Sequence, residues 1–214
     1  MNIQSKRRKM WGSGLALVVL TSSVVALAAD GERVAELFES SFAYEATGKT
    51  TAALSDVKSV LRLDPEHYTA NLRAAWLNYL NLNYNESIRF YRKAAQIAPK
   101  AIEPQLGLML PLMAAKRWNE AERVGLKVLK RDPASYLARS RLAFTHFSRG
   151  SYAKAEKHYE SVLVDYPSDS EMSLGLAWTW LKQGRKADAR ELFGRVLRIH
   201  RKNANAKAGL KAAQ

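Results

Sequence analysis

Residues 136–169 read YLARSRLAFTHFSRGSYAKAEKHYESVLVDYPSD, and residues 170–203 read SEMSLGLAWTWLKQGRKADARELFGRVLRIHRKN. Laid over one another without a gap, they place Gly150 on Gly184, Ala155 on Ala189 and Tyr159 on Phe193. The match extends toward the N-terminus: four of the six prolines stand at 65, 99, 133 and 167, each 34 residues after the one before. In that frame the chain divides into five repeats, 34–67, 68–101, 102–135, 136–169 and 170–203, with no insertion or deletion. A repeat of this length is one supersecondary unit that cannot bury its apolar face alone. Neighbours must stack, and at least about three are needed for a stable core.

Inside each repeat, apolar residues recur at three- and four-residue spacing on either side of a polar break, which predicts two helices of about 14 residues joined by a tight turn. Gly48, Gly150 and Gly184 mark three of the turns, and Leu82 and Lys116 hold the matching place in the other two. Twelve residues before each repeat's proline position stands a small residue, Ala53, Ser87, Ala121, Ala155 or Ala189, which lets two helices approach closely. Four residues later, Val57, Tyr91, Gly125, Tyr159 and Phe193 lie one turn along the same face, toward the partner helix.

These residues resemble the tetratricopeptide repeat (TPR), whose pattern runs Trp, Leu-Gly, Tyr, Ala-x-x-x-Phe and a closing Pro. The first repeat matches with Leu37, Ser41, Tyr44, Ala53, Val57 and Pro65, the fifth with Leu176, Ala177, Trp180, Ala189 and Phe193. The family's Trp position holds Leu37, Asn71, Gln105, Arg139 and Ser173, a divergence read as belonging to a surface-leaning site, and the fifth repeat ends in Arg201 in place of Pro. The resemblance covers residues 34–203 and implies an all-α fold: a right-handed α-solenoid of five helix-turn-helix units, with residues 204–214 as a C-terminal capping helix.

The first 29 residues differ in kind. Lys6, Arg7, Arg8 and Lys9 precede an uncharged run from Met10 to Ala29 that closes on Ala26-Leu27-Ala28, the layout of a secretory signal peptide. The alternative is a retained N-terminal membrane anchor. Net charge is +14, falling to +10 without the leader's four basic residues, and +8 of it lies from Lys182 onward. The named basic end is Arg185, Lys186, Arg195, Arg198, Arg201 and Lys202. With no cysteine, disulfides, thiolate catalysis and iron-sulfur ligation are excluded.

In proteins of this resemblance the first helices of successive repeats line a concave surface. The positions this register assigns there, Phe38, Phe42, Leu72, Trp76, Tyr79, Leu110, Met113, Phe144, Phe147, Trp178 and Leu181, form an apolar, aromatic-rich stripe. Such a groove suits an amphipathic helix or an extended apolar segment. It does not suit the family's carboxylate clamp of Lys, Arg and Asn, since only Arg73 and Arg141 match parts of it. Pro111, inside a helix, is read either as a hinge beside Leu110 and Met113 or as tolerated drift, with Gly107 easing the bend.

Catalytic signals are absent. His67, His146, His158 and His200 have no metal-ligand spacing; His146 is expected between helices and the others at exposed positions. Glu156 and Glu160 read as a solvated charged face. The expectation is therefore a non-enzymatic protein-protein interaction scaffold, without metal or cofactor, exported to the periplasm or secreted, binding a protein or peptide. The alternative location is the inner membrane, anchored with the repeats outside the cytoplasm. Two alternative functions stand beside it: a self-assembling or membrane-docked structural protein using its basic end on an anionic membrane surface, and an accessory of polysaccharide export. Nucleic acid is not expected, because the basic end lacks interleaved aromatics.

Overall fold

A computed structural model describes the backbone of residues 14–214 and the side chains of residues 30–214. The basic run at residues 6–9 lies outside the described residues, and of the leader only the backbone from Gly14 onward is described. Every regular element among the described residues is an α-helix: α1 (Gly14–Ala46), α2 (Thr50–Leu63), α3 (Tyr68–Leu80), α4 (Tyr84–Ile97), α5 (Glu103–Ala114) and α6 (Trp118–Arg131), then α7 (Tyr136–Ser148), α8 (Tyr152–Asp165), α9 (Ser170–Lys182), α10 (Lys186–Ile199) and α11 (Ala204–Ala212). The second helices of the five repeats are each 14 residues long and begin 34 residues apart. The α5 helix starts one residue late, with Pro104 in its first turn, where the missing N–H costs nothing. Among the described residues no helix is both long and apolar enough to cross a membrane.

The described residues form two compact bodies, one up to Ala70 and the other from Asn71 to Gln214. In the first, α1 packs on α2, which buries Ala53, Leu54, Val57 and Val60. In the second, each helix from α4 to α11 packs on the next, an α-solenoid of helical hairpins. The first helices also touch across repeats, α5 on α7, α7 on α9 and α9 on α11, whereas α6, α8 and α10 make no such contacts among the described residues. Closer spacing on one side bends this body, so that the first helices line its inner surface.

Each hairpin turn closes in the same way. The N–H of Lys49, Asn83, Arg117, Ser151 and Arg185 bonds back to the carbonyl of Tyr44, Asn78, Leu112, His146 and Trp180, at 2.8 to 2.9 Å. This is the Schellman closure, which needs a left-handed residue just before the donor. Gly48, Gly150 and Gly184 supply it with φ of 74°, 76° and 85°, while Leu82 and Lys116 are forced to 61° and 56°. A Cβ in that region is strained by about 1 to 2 kcal/mol. Leu82 is 71% exposed and loses little on truncation, so Leu82→Gly is expected to stabilise the fold by about 0.5 kcal/mol after glycine's unfolded-state entropy is counted, read as a higher urea midpoint. A lowered midpoint would show that the turn carries no strain.

Ala53, Ser87, Ala121, Ala155 and Ala189 are all fully buried, as their spacing predicts. Between repeats the packing is large against small. A Cβ added to Gly107 would sit 2.2 Å from the Tyr91 ring, one on Gly175 2.3 Å from Tyr159, and one on Gly209 2.2 Å from Phe193. Gly107 therefore seats an aromatic from the preceding repeat, and α5 continues through the buried Pro111. One repeat on, the order reverses: Gly125 stands at the aromatic position and Arg141 at the glycine position.

The family's Trp position is buried, against the surface-leaning expectation: Asn71, Gln105, Arg139 and Ser173 are all less than a tenth exposed. Arg139 is tolerated there because its guanidinium donates to the carbonyls of Ser161 and Ala134 at 2.6 and 2.7 Å and to Asp165 at 2.7 Å. A buried charge persists only when paired and hydrogen-bonded in this way.

Candidate partner-binding groove

In the first body Phe38 is half-buried against His67, ring centroids 5.3 Å apart, and Phe42 is 53% exposed on the same helix. In the second body Leu72, Trp76 and Tyr79 lie on α3, Leu110 and Met113 on α5, Phe144 and Phe147 on α7, and Trp178 and Leu181 on α9. Phe144 is 47% exposed, and the other eight are half-buried. Helical spacing keeps the members of each helix on one face, and the contacts among α5, α7 and α9 bring those faces side by side.

The half-buried members serve two purposes. Trp76 lies against Tyr79 at 5.7 Å, and Trp178 meets the fully buried Phe193 edge-on at 5.3 Å while its indole N–H donates to Asn205 Oδ1 at 2.7 Å. Phe147, Trp178 and Leu181 pack on the core formed by α7 to α11. Their rings are thus fixed in place with an edge in solvent, the arrangement that lowers the ordering cost of binding.

Sequence reasoning on the first helices missed the residues that extend this surface. Tyr84, Trp118 and Tyr152 each open a second helix, and they contact Tyr79 at 6.0 Å, Phe144 at 6.4 Å and Phe147 at 5.8 Å. Their 34-residue spacing was the available signal.

The floor near α5 and α7 is polar at one point. Arg141 donates to the Leu106 carbonyl at 2.5 Å; burial lowers its pKa, and the nearby Tyr91 and Tyr79 oppose that shift. Burial pushes the Tyr91 phenol up to about 12 despite the Arg141 charge. At neutral pH the buried phenol is neutral and the guanidinium charged, so Arg141 is a fixed cationic spot beside the apolar positions.

At three further positions the structure revises the sequence expectations. Glu156 is not solvated: it accepts from Trp180 Nε1 at 2.7 Å, Gln183 Nε2 at 2.9 Å and Arg185 at 2.6 Å. Burial alone would raise its carboxyl, and these donors hold it below its ordinary value. His158 is half-buried, its ring stacked on His146 with centroids 5.3 Å apart and planes 6° from parallel. His67 is half-buried as well, and its Nδ1 accepts from the Ala70 N–H at 3.3 Å.

The basic end divides into two sets. Arg185 is paired with Glu156 and Asp188 and covers the Trp180 ring, and Arg195 is paired with Glu191. Lys186, Arg198, Arg201 and Lys202 are exposed, and no ion pair to them is found among the described residues. No group of three His, Cys, Asp or Glu suited to a metal occurs among the described residues.

Comparison with known proteins agrees with this geometry. Two family models described as "Tetratricopeptide repeat" match, one over residues 43–102 and the other over 112–172 and 146–213. No curated protein matches the chain in sequence. Among solved structures, a tetratricopeptide repeat protein from Parabacteroides merdae aligns with a TM-score of 0.77 at 16% identity, covering 85% of this chain and 72% of its own. The MamA protein aligns at 0.70 and 18% identity, covering 81% and 95%. YrrB, described as a TPR protein with an unusual peptide-binding site, aligns at 0.68 and 15%, covering 82% and 90%. At these identities the likeness concerns the fold.

Proposed function

We propose that this chain, which belongs to the tetratricopeptide repeat family, is a non-enzymatic scaffold that binds an apolar or amphipathic segment of a partner protein along its inner aromatic surface. The observation that carries this reading is the half-exposed Phe144 set among Trp118, Phe147 and Tyr152 on a concave face. Large aromatics held rigid with an edge in solvent are the usual anchors of a protein interface. YrrB, similar in fold, is described as having a peptide-binding site, which fits this use of the fold. The leader-like N-terminus supports a place outside the cytoplasm, in the cell envelope or beyond.

The test is a photocrosslinking side chain at Ser140, on the groove face of α7, with Trp76→Ala/Phe144→Ala in the same chain. Truncating an anchoring aromatic costs roughly 2 kcal/mol or more, so partner capture is expected to fall at least tenfold while the circular dichroism of the helices is unchanged. Capture that survives the double substitution would end the groove reading.

A second reading is favoured by the row Lys186, Arg190, Arg198 on α10, spaced by multiples of four with Gly194 between the last two, all three cations exposed. It is docking of the basic end on an anionic surface.

A further inference from the structure

We infer that the turns closing α8–α9 and α10–α11 form a bilayer-docking edge, in which Val164 and Ile199 enter the interfacial layer of an anionic phospholipid membrane while Arg198, Arg201 and Lys202 hold its phosphates. This rests on the second reading above and adds to it the apolar contact and the edge that makes it.

The α8–α9 and α10–α11 turns are one 34-residue period apart, so they occupy corresponding places on one edge of the stack. Val164 is 79% exposed and Ile199 63% exposed, the first and third most exposed large apolar side chains among the described residues. Ile199 stands in a run of Arg198, His200, Arg201 and Lys202 that lines a shallow open depression. Of the acids of the same edge, Glu171 is exposed in the first turn of α9, and the other two are already used. Asp165 pairs with Arg139, and Asp169 caps α9 through the Met172 N–H and takes the Tyr136 hydroxyl at 2.6 Å. Arg198, Arg201 and Lys202 against Glu171 leave the outward face net cationic, with apolar tips.

An acidic polypeptide would satisfy the cations and leave Val164 and Ile199 in water. A bilayer interface offers phosphate and apolar depth within about 5–10 Å of each other. The charge and the exposed apolar groups therefore favour lipid.

The chain has no cysteine, so Ile199→Cys gives a unique thiol for a polarity-sensitive fluorophore. The full chain is mixed with phosphatidylcholine vesicles with or without phosphatidylglycerol. Two readouts local to the edge report it independently of the apolar N-terminal stretch: emission of the label for insertion, and acylation of Lys202 for docking. With phosphatidylglycerol the label is expected to shift blue and become about tenfold less accessible to an aqueous quencher, and Lys202 to be protected. Arg198→Glu/Arg201→Glu/Lys202→Glu is expected to weaken the response about a hundredfold, and Val164→Ser to reduce label burial without changing helical content. Lysine protection without any label shift would overturn the insertion and leave electrostatic docking standing. Neither response would overturn both, and equal protection by polyglutamate would assign the edge to an acidic polypeptide instead.

Discussion

Replacing Tyr159 by alanine is expected to destabilise the second body by about 4 kcal/mol, since a large buried aromatic leaves a cavity that its neighbours cannot fill. The ring is 4% exposed and lies where a Cβ on Gly175 would sit, 2.3 Å away. The reciprocal change, Gly175→Ala, gains about 1 kcal/mol of helix propensity and still loses about 2 kcal/mol net, because the added methyl collides with a ring that has nowhere to go. Together the two substitutions should cost less than their sum, as truncated Tyr159 makes room for the methyl. Urea unfolding of the four proteins measures that coupling. Strict additivity would mean that the glycine is not the seat of the ring.

Stability is also expected to fall by on the order of 2 to 3 kcal/mol as pH drops from above 6.5 to about 4, on account of the stacked histidines. Burial and the adjacent His146 press the His158 pKa down from 6.5 to about 4, and burial lowers His146, against the pull of Glu122, whose Oε1 lies 3.9 Å from its Nε2. A histidine depressed in the fold takes up its proton more readily when unfolded. Its contribution is therefore intact above 6.5 and is lost through that window. Glu122 and Glu156, both held below their ordinary value, add a second loss only at lower pH. His158→Phe keeps a ring against His146 and should flatten the slope between pH 6.5 and 4 while leaving the steeper acid limb. A slope unchanged by that substitution would remove the histidine pair as its cause.

The period and its consequences were legible because each of its marks answers a local demand. The turns need a left-handed residue, the hairpins need Ala or Ser where helices touch, and each of the 34-spaced prolines stands two residues past the end of a second helix. The inner stripe was legible in the same way, as one face of the first helices. What escaped depends on a partner in another helix. Arg139 looked like a surface residue because nothing near it in sequence shows the Ser161 carbonyl and Asp165 that receive it. Glu156 looked solvated because its donors come from the next repeat. Tyr84, Trp118 and Tyr152 were passed over because they begin the second helices, outside the face being read, although their rings meet the first-helix aromatics.

The alternation of large and small residues between repeats also decides how such an array can grow. Copying repeat 136–169 in tandem would set Tyr159 against a second Arg141, and copying 102–135 would oppose Gly125 to Gly107 and leave a void. Repeat 170–203 alone of these three carries both halves of one fit, since Phe193 takes a glycine in the next helix and Gly175 accepts a ring from the one before. Gene duplication can therefore lengthen the chain at that repeat without a compensating change, and at the other two only with a further substitution at the new junction.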